Sequence, residues 1–188
     1  MCPVAKKTRK RNADATRADI IEAAKLVFTE KGFDQAGTRD IADKAGVNVA
    51  LINRYYGSKE GLFREAVMPA LTYSAADFTE DTDYPTLLTS LLMNKPEEIG
   101  FDPIITMLRS ASSPVVGEML QDSLNNAMIV PMSKAIGGTD GRERAAMAMS
   151  IIAGYDVLVR MMRLRPYDDP DRKVLEARIQ SVFTAALT

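Results

Sequence analysis

Between residues 17 and 31 the apolar side chains return at helical intervals. Ile20, Ala24, Val27 and Phe28 fall on one side, while Arg17, Asp19, Glu22, Lys25 and Glu30 fall largely elsewhere. Gly32 is expected to end this amphipathic helix. A short second helix follows, with Thr38 as its cap, Ile41, Ala42 and Ala45 as its inner face, Asp40 near its positive end and Gly46 just past its last turn. Val47 then serves as a buried pivot. Asn48 caps a third short helix in which Ile52 and Tyr56, four apart, turn inward together. Gly57 stops that helix and Ser58 caps a fourth. About fifty residues in four short helices can scarcely close a core of their own, so they need something larger to pack on.

The remaining chain supplies it. Pro69 interrupts or kinks the fourth helix, and FTEDTDYP, residues 78–85, reads as a loop or helix end. Further helices are expected at about 85–94, 101–111 and 113–136. From Arg142 to Leu164 two stripes alternate, one of Ala145, Ala148, Met149, Ile152 and Val159, the other of Met147, Ile151, Leu158 and Met161, so both sides of this helix must be covered. The last helix takes Asp169 as cap and Pro170 at its first position, and puts Leu175, Ile179, Val182, Phe183 and Ala186 on one face. No strand-like alternation or internal repeat stands out. The fold class is therefore all-α, with a helical hairpin at the end of the chain.

Charge divides the chain where the patterning does. Residues 1–65 hold 13 basic and 9 acidic side chains, a net +4, whereas residues 66–188 hold 11 and 16, a net −5. Much of the basic excess lies in KKTRKR, residues 6–11, either a solvated tail or an arm that neutralises phosphates. Histidine is absent, which removes the side chain most used for proton transfer near neutral pH and the commonest metal ligand. The single cysteine, Cys2, allows no intrachain disulfide, and no apolar run approaches the roughly 18 residues of a membrane span. A cytoplasmic protein is expected, with no membrane, metal or cofactor and no enzymatic activity. Carboxylates such as Glu118, Asp122 and Asp156 read as exposed helix charges.

Two short helices joined by a tight glycine turn make a helix-turn-helix, whose second helix fits the major groove of DNA. The groove-facing candidates are Val49, Ala50, Leu51, Asn53 and Arg54, while Ile52 and Tyr56 hold the helix to its domain. Arg54 suits a bidentate pair with guanine and Asn53 with adenine, and Val49 and Ala50 suit a thymine methyl. Thr38, Arg39, Tyr55 and Lys59 are placed for phosphates or adjacent bases. Each cation taken singly can equally be an ordinary solvated charge. Their joint placement favours DNA.

The stretch TRDIADKAGVNVALINRYYGSKEGLF, residues 38–63, resembles the DNA-binding segment of the TetR family of bacterial transcriptional regulators, and the likeness runs over about residues 15–67. Matched position by position, it implies DNA contacts from Thr38, Arg39, Asn48, Val49, Ala50, Asn53, Arg54, Tyr55 and Lys59. Asn53 stands where many members have tyrosine, Tyr55 where many have histidine, and Asn48 where serine is frequent. All three keep hydrogen-bonding side chains. The resemblance further implies an all-helical homodimer: a basic arm at 1–14, a helix-turn-helix domain at 15–67, and a larger helical domain at 68–188 that binds a small-molecule effector and the second subunit. Repression from a palindromic operator is the family's usual outcome.

Pairing is expected through Ala145, Met149, Ile152, Leu175, Ile179, Val182 and Phe183, although the same stripes can be intramolecular core. An effector site is expected to draw on adaptable methionines and on tyrosines: Met107, Met128, Met162, Tyr73 and Tyr155, with Arg109 as a further polar candidate. Binding there would move the fourth helix near Pro69 and change the spacing of two reading heads. A constitutive DNA binder, or a helical adaptor that contacts protein, remains the alternative. Steep loss of affinity with salt separates a DNA reader from the adaptor.

Overall fold

A computed structural model describes residues 4–71, 79–94, 100–164 and 171–188, with only the backbone course for residues 4–12. The expectations for Tyr73, Asp169 and Pro170 fall outside the described residues. Among the described residues all regular structure is helical, as the patterning implies. The chain forms two compact units, one from residues up to Leu71 together with Gly100–Leu120, the other from Thr72–Ile99 and Gln121–Thr188.

In the first unit α1 (Val4–Gln35) is continuous in backbone from the basic segment onward, with Gly32 non-helical at φ 72°. The helices α2 (Thr38–Ala45), α3 (Ala50–Tyr56) and α4 (Lys59–Ala66) follow, and a 3-10 turn spans Met68–Leu71 around Pro69. Ile20, Ala24, Val27 and Phe28 of α1 close over Ile41, Ile52, Leu62 and Phe63, all sealed from solvent. The rings of Phe28, Phe33 and Phe63 form a cluster, Phe63 meeting Phe28 edge-on at 5.0 Å and Phe33 at 5.4 Å.

The helix α6 (Pro103–Ser110), far down the chain, packs along α1 and completes this unit. Its seam is polar in places: Thr29 Oγ1 lies 2.7 Å from Thr106 Oγ1, and the Phe33 amide donates to Ser110 Oγ at 3.0 Å. Apolar spacing could not reveal that residues 100–120 belong with the reading head. In consequence Met107, expected at an effector site, is buried on α6 in the first unit, and Arg109 donates to the Glu30 carbonyl.

The second unit gathers α5 (Tyr84–Met93), α8 (Val130–Ile136), α9 (Gly141–Tyr155) and α10 (Arg172–Leu187). The helix expected over 113–136 is wound in three parts: α7 (Gly117–Leu124), a π-helical turn at Asn125–Ile129, and α8. Pro131 has no N–H to bond four residues back, and the wider turn lies immediately before it. Asp171 caps α10 by accepting from the Lys173 amide at 3.0 Å. α10 packs on α5 and α9. Arg144 ties the ends of two helices together, donating to the carbonyls of Gly137 at 2.6 Å and Leu187 at 2.7 Å.

Two expectations are corrected here. Ala145, Met149, Ile152 and Phe183, expected at a subunit interface, form the core of their own unit with Tyr84, Leu88, Leu92 and Met132, because apolar periodicity marks a buried face without saying which chain buries it. Ile179 is half-buried against that core and Leu175 is half-buried, whereas Val182 is 50% exposed. Asp156, expected as a surface charge, is fully buried and paired with Arg160 at 3.3 Å within a π-helical turn. A buried charge needs such a partner.

Candidate nucleic-acid interface

The reading head is assembled by local chemistry at each turn. α2 takes Gly37 as its cap in extended conformation, so Thr38 is its first helical residue and the expected cap shifts by one. Asp40 supplies the side chain that Gly37 lacks, accepting from the Gly37 amide at 3.2 Å and from Lys31 Nζ at 2.7 Å. The Lys31 hydrogen bond, then the Gly37 amide, hold the Asp40 carboxyl below its ordinary range, and Asp40 in turn raises Lys31. At the far end Gly46 takes the left-handed conformation, φ 66°, and Val47 N–H reaches the Ala42 carbonyl at 3.0 Å. Without a Cβ the chain can reverse there.

Val49 holds the cap position of α3 without a side-chain bond, and Asn48 just before it accepts from the Ala50 amide through Oδ1 at 2.9 Å, so the expected cap shifts by one here too. Ile52 is sealed beneath the helix, while Ala50, Asn53 and Arg54 are exposed and Val49 is half-buried. Arg39 is exposed and Thr38 half-exposed at the start of α2. Gly57 ends α3 at φ 76°, and Ser58 Oγ accepts from the Gly61 amide at 3.0 Å to start α4. The side chain at 56 does more than face inward: Tyr56 donates its hydroxyl to the Arg17 carbonyl at 2.9 Å, and burial raises its pKa.

Lys59 departs from expectation. Its ammonium donates inward to the carbonyls of Phe33 at 2.8 Å and Ala36 at 3.1 Å, approaches that of Asp34 at 3.4 Å, and sits 4.3 Å from the centre of the Phe33 ring. An ammonium has three N–H donors, and these carbonyls engage them. Lys59 thus clamps the end of α1 to the start of α4. Thr38, Arg39, Asn48, Val49, Ala50, Asn53, Arg54 and Tyr55 all belong to this head.

The profile described as bacterial regulatory proteins of the tetR family matches residues 20–66, and that of a tetracyclin repressor-like C-terminal domain matches residues 85–187. The chain belongs to the tetR family. The HTH-type transcriptional regulator YvkB of Bacillus subtilis, itself uncharacterised, is 30% identical in an alignment that covers 86% of this chain and 92% of YvkB. YfiR of the same organism, another uncharacterised regulator of this type, is 27% identical over 85 residues, so the match spans only 42% of YfiR's length and 45% of this chain. Among solved structures, NalD of Pseudomonas aeruginosa superposes with a TM-score of 0.66 at 18% identity, over 93% of this chain and 97% of that one. That likeness speaks to fold. As a tetR-family member the chain is a transcriptional regulator with a DNA-binding helix-turn-helix.

Of the side chains expected to meet an effector, Met128 and Tyr155 each pack against the core of the second unit. Met162 is 61% exposed, and Met107 is buried on α6 of the first unit. Arg17 was not among the expected interface residues. Its guanidinium carbon lies 5.0 Å from the centre of the Tyr55 ring, a contact spanning 38 positions of sequence that no local spacing announces.

The inward course of Lys59 gives a measurable result. Lys59→Ala is expected to lower stability by about 1.5–3 kcal/mol, the range for hydrogen bonds made by a charged group. The salt dependence of DNA affinity should stay as it is. Thermal melts beside salt titrations check this; an unchanged melt with a shallower salt slope would return Lys59 to the phosphate contacts.

Proposed function

We propose that this regulator reads duplex DNA as a homodimer, laying α3 of each copy in one half of a palindromic operator, and that it represses transcription until a small molecule releases it. The observation that carries the reading is the division of α3, with Ile52 sealed below while Asn53 and Arg54 stand exposed. Arg54 and Asn53 are the base readers, Val49 and Ala50 the apolar contacts, and Thr38, Arg39, Asn48 and Tyr55 the phosphate or flanking contacts. Repression accords with the family's usual outcome and with the repressor-like C-terminal match. A reader of chromosomal DNA works in the cytoplasm.

Pairing is supported by what α9 and α10 leave uncovered. The second stripe is only partly covered in the single subunit: Ile151 packs against the core, while Met147 on α9 is 56% exposed and Leu158, on the π-helical turn Asp156–Met161 that follows, is 48% exposed. On α10 a shallow groove of about 460 Å³ is lined by Ala177, Gln180, Ser181, Thr184 and Ala185, and Val182 of the same helix is 50% exposed. Small residues let helices approach closely. A second copy of the chain supplies the missing cover in this reading, with Val182, Leu175 and Ile179 retained from the expected interface.

The effector reading is that an apolar or mixed small molecule binds in the second unit near Met128 and Tyr155, and that its preference for one head spacing sets how far operator affinity can fall. For base reading the direct test is Arg54→Ala on a duplex recovered from random DNA and on its scrambled counterpart. The cognate duplex is expected to lose about 1–3 kcal/mol of affinity and the scrambled one much less. Equal losses on both would remove Arg54 from base recognition.

A further inference from the structure

Arg17 precedes the residues matched by the family profile, which begin at Ile20, and no role attaches to it so far. We propose that Arg17 and Tyr55 together form a clamp for a backbone phosphate beside the reading helix, an inference that rests on the DNA-reading proposed above.

Arg17 is tied to the head at two points. Its carbonyl accepts the Tyr56 hydroxyl at 2.9 Å, and its guanidinium carbon lies over the Tyr55 ring, 5.0 Å from the ring centre. The Tyr55 ring in turn meets Tyr56 edge-on, 6.4 Å between centres at 79°, so the platform under the guanidinium is itself braced. Arg17 is exposed, and among the described residues its side chain forms no ion pair, although Asp14 and Asp19 stand on the same helix and Glu65 faces Tyr56.

A cation–π contact orders a guanidinium without using its N–H donors, which stay free in the guanidinium plane. A planar fork of that kind matches two oxygens of a phosphodiester. The Tyr55 hydroxyl, on the same platform, adds a donor where many family members carry histidine. Neither group reads a base, so the clamp adds affinity and register without sequence preference.

Fluorescence anisotropy on the full chain tests it, with a labelled duplex recovered by selection from random DNA and a scrambled duplex of equal length, each titrated between about 50 and about 200 mM salt. Arg17→Gln is expected to weaken both duplexes by the same factor. Its salt slope should be shallower by about 1.8, one phosphate contact being lost from each of the two copies, so the affinity lost across that salt range is about 12-fold smaller than for the wild-type chain. Arg17→Lys should keep the wild-type slope yet bind more weakly, because an ammonium lacks the planar fork that meets two phosphate oxygens. Superimposable thermal melts exclude a folding defect.

A wild-type slope for Arg17→Gln on both duplexes would overturn the clamp while leaving the DNA-reading intact. A loss confined to the selected duplex would overturn it as well, by making Arg17 a base reader. Absence of salt-sensitive binding by the wild-type chain would instead remove the DNA-reading on which the clamp depends.

Discussion

Phe63→Ala is expected to cost about 3–5 kcal/mol, the range for removing a fully buried phenylalanine, and to abolish DNA binding at 37 °C. Phe63 is completely buried on α4, and its ring is met edge-on by Phe28 and Phe33, both of α1. Edge-to-face pairs add about 0.5–1.5 kcal/mol beyond area burial. The cavity would open where α1 and α4 close on each other, which is also where Lys59 clamps the end of α1. Since a domain is stable by only about 5–15 kcal/mol, a loss of this size moves much of the reading head into the unfolded population. Phe63→Leu keeps most of the volume and should cost under half as much. Denaturant melts of both variants, followed in parallel by DNA binding, check the pair; a cost under about 1 kcal/mol for alanine would mean that the ring cluster does not hold the head together.

Gly32→Ala comes next in size. Gly32 takes φ 72° and ψ 175°, a region open to glycine and strained for any residue with a Cβ, at about 1–3 kcal/mol. Crowding adds to strain: a Cβ here would stand 2.7 Å from the Arg109 carbonyl oxygen and 3.1 Å from the Arg109 carbonyl carbon. Backbone cannot swing aside as a flexible side chain can, so α1 and α6 must part, at about 1–3 kcal/mol more. The sum is about 2–6 kcal/mol. Gly46→Ala provides the contrast, because its φ is also positive, at 66°, yet nothing lies within 4 Å of a Cβ there. It should cost only about 1 kcal/mol. Equal costs at the two positions would mean that α6 does not press on Gly32.

How far the chain could be read from its own pattern depends on the reach of each interaction. The turns of the reading head were legible because each is decided within a few residues: Gly46 in the left-handed region, Asn48 bonding Ala50, Ser58 bonding Gly61. Two caps differ by one position from the pattern: Gly37 in place of Thr38 at α2, where Asp40 reaches back to provide the carboxylate, and Val49 in place of Asn48 at α3.

Long-range contacts were hidden. That α6 packs with α1 rests on Thr29 meeting Thr106 and Phe33 meeting Ser110, each pair 77 residues apart. The inward course of Lys59 and the contact of Arg17 with Tyr55 are likewise tertiary. Apolar stripes told which faces of α9 and α10 are covered but not by what: Ala145, Met149, Ile152 and Phe183 are covered within the subunit, while Met147, Leu158 and Val182 are left open. A buried Asp156 was unreadable, since a lone carboxylate on a helix has every reason to face water unless its partner, here Arg160 one turn on, is buried with it.

The central claim is that two copies of α3 enter the grooves of one duplex, and selection of bound DNA from a random pool, followed by sequencing, tests it most directly. The expected product is an enriched near-palindrome whose half-sites lie about one helical turn, or a multiple of it, apart. A pool that shows no enriched sequence, or a single unrepeated site, would contradict it.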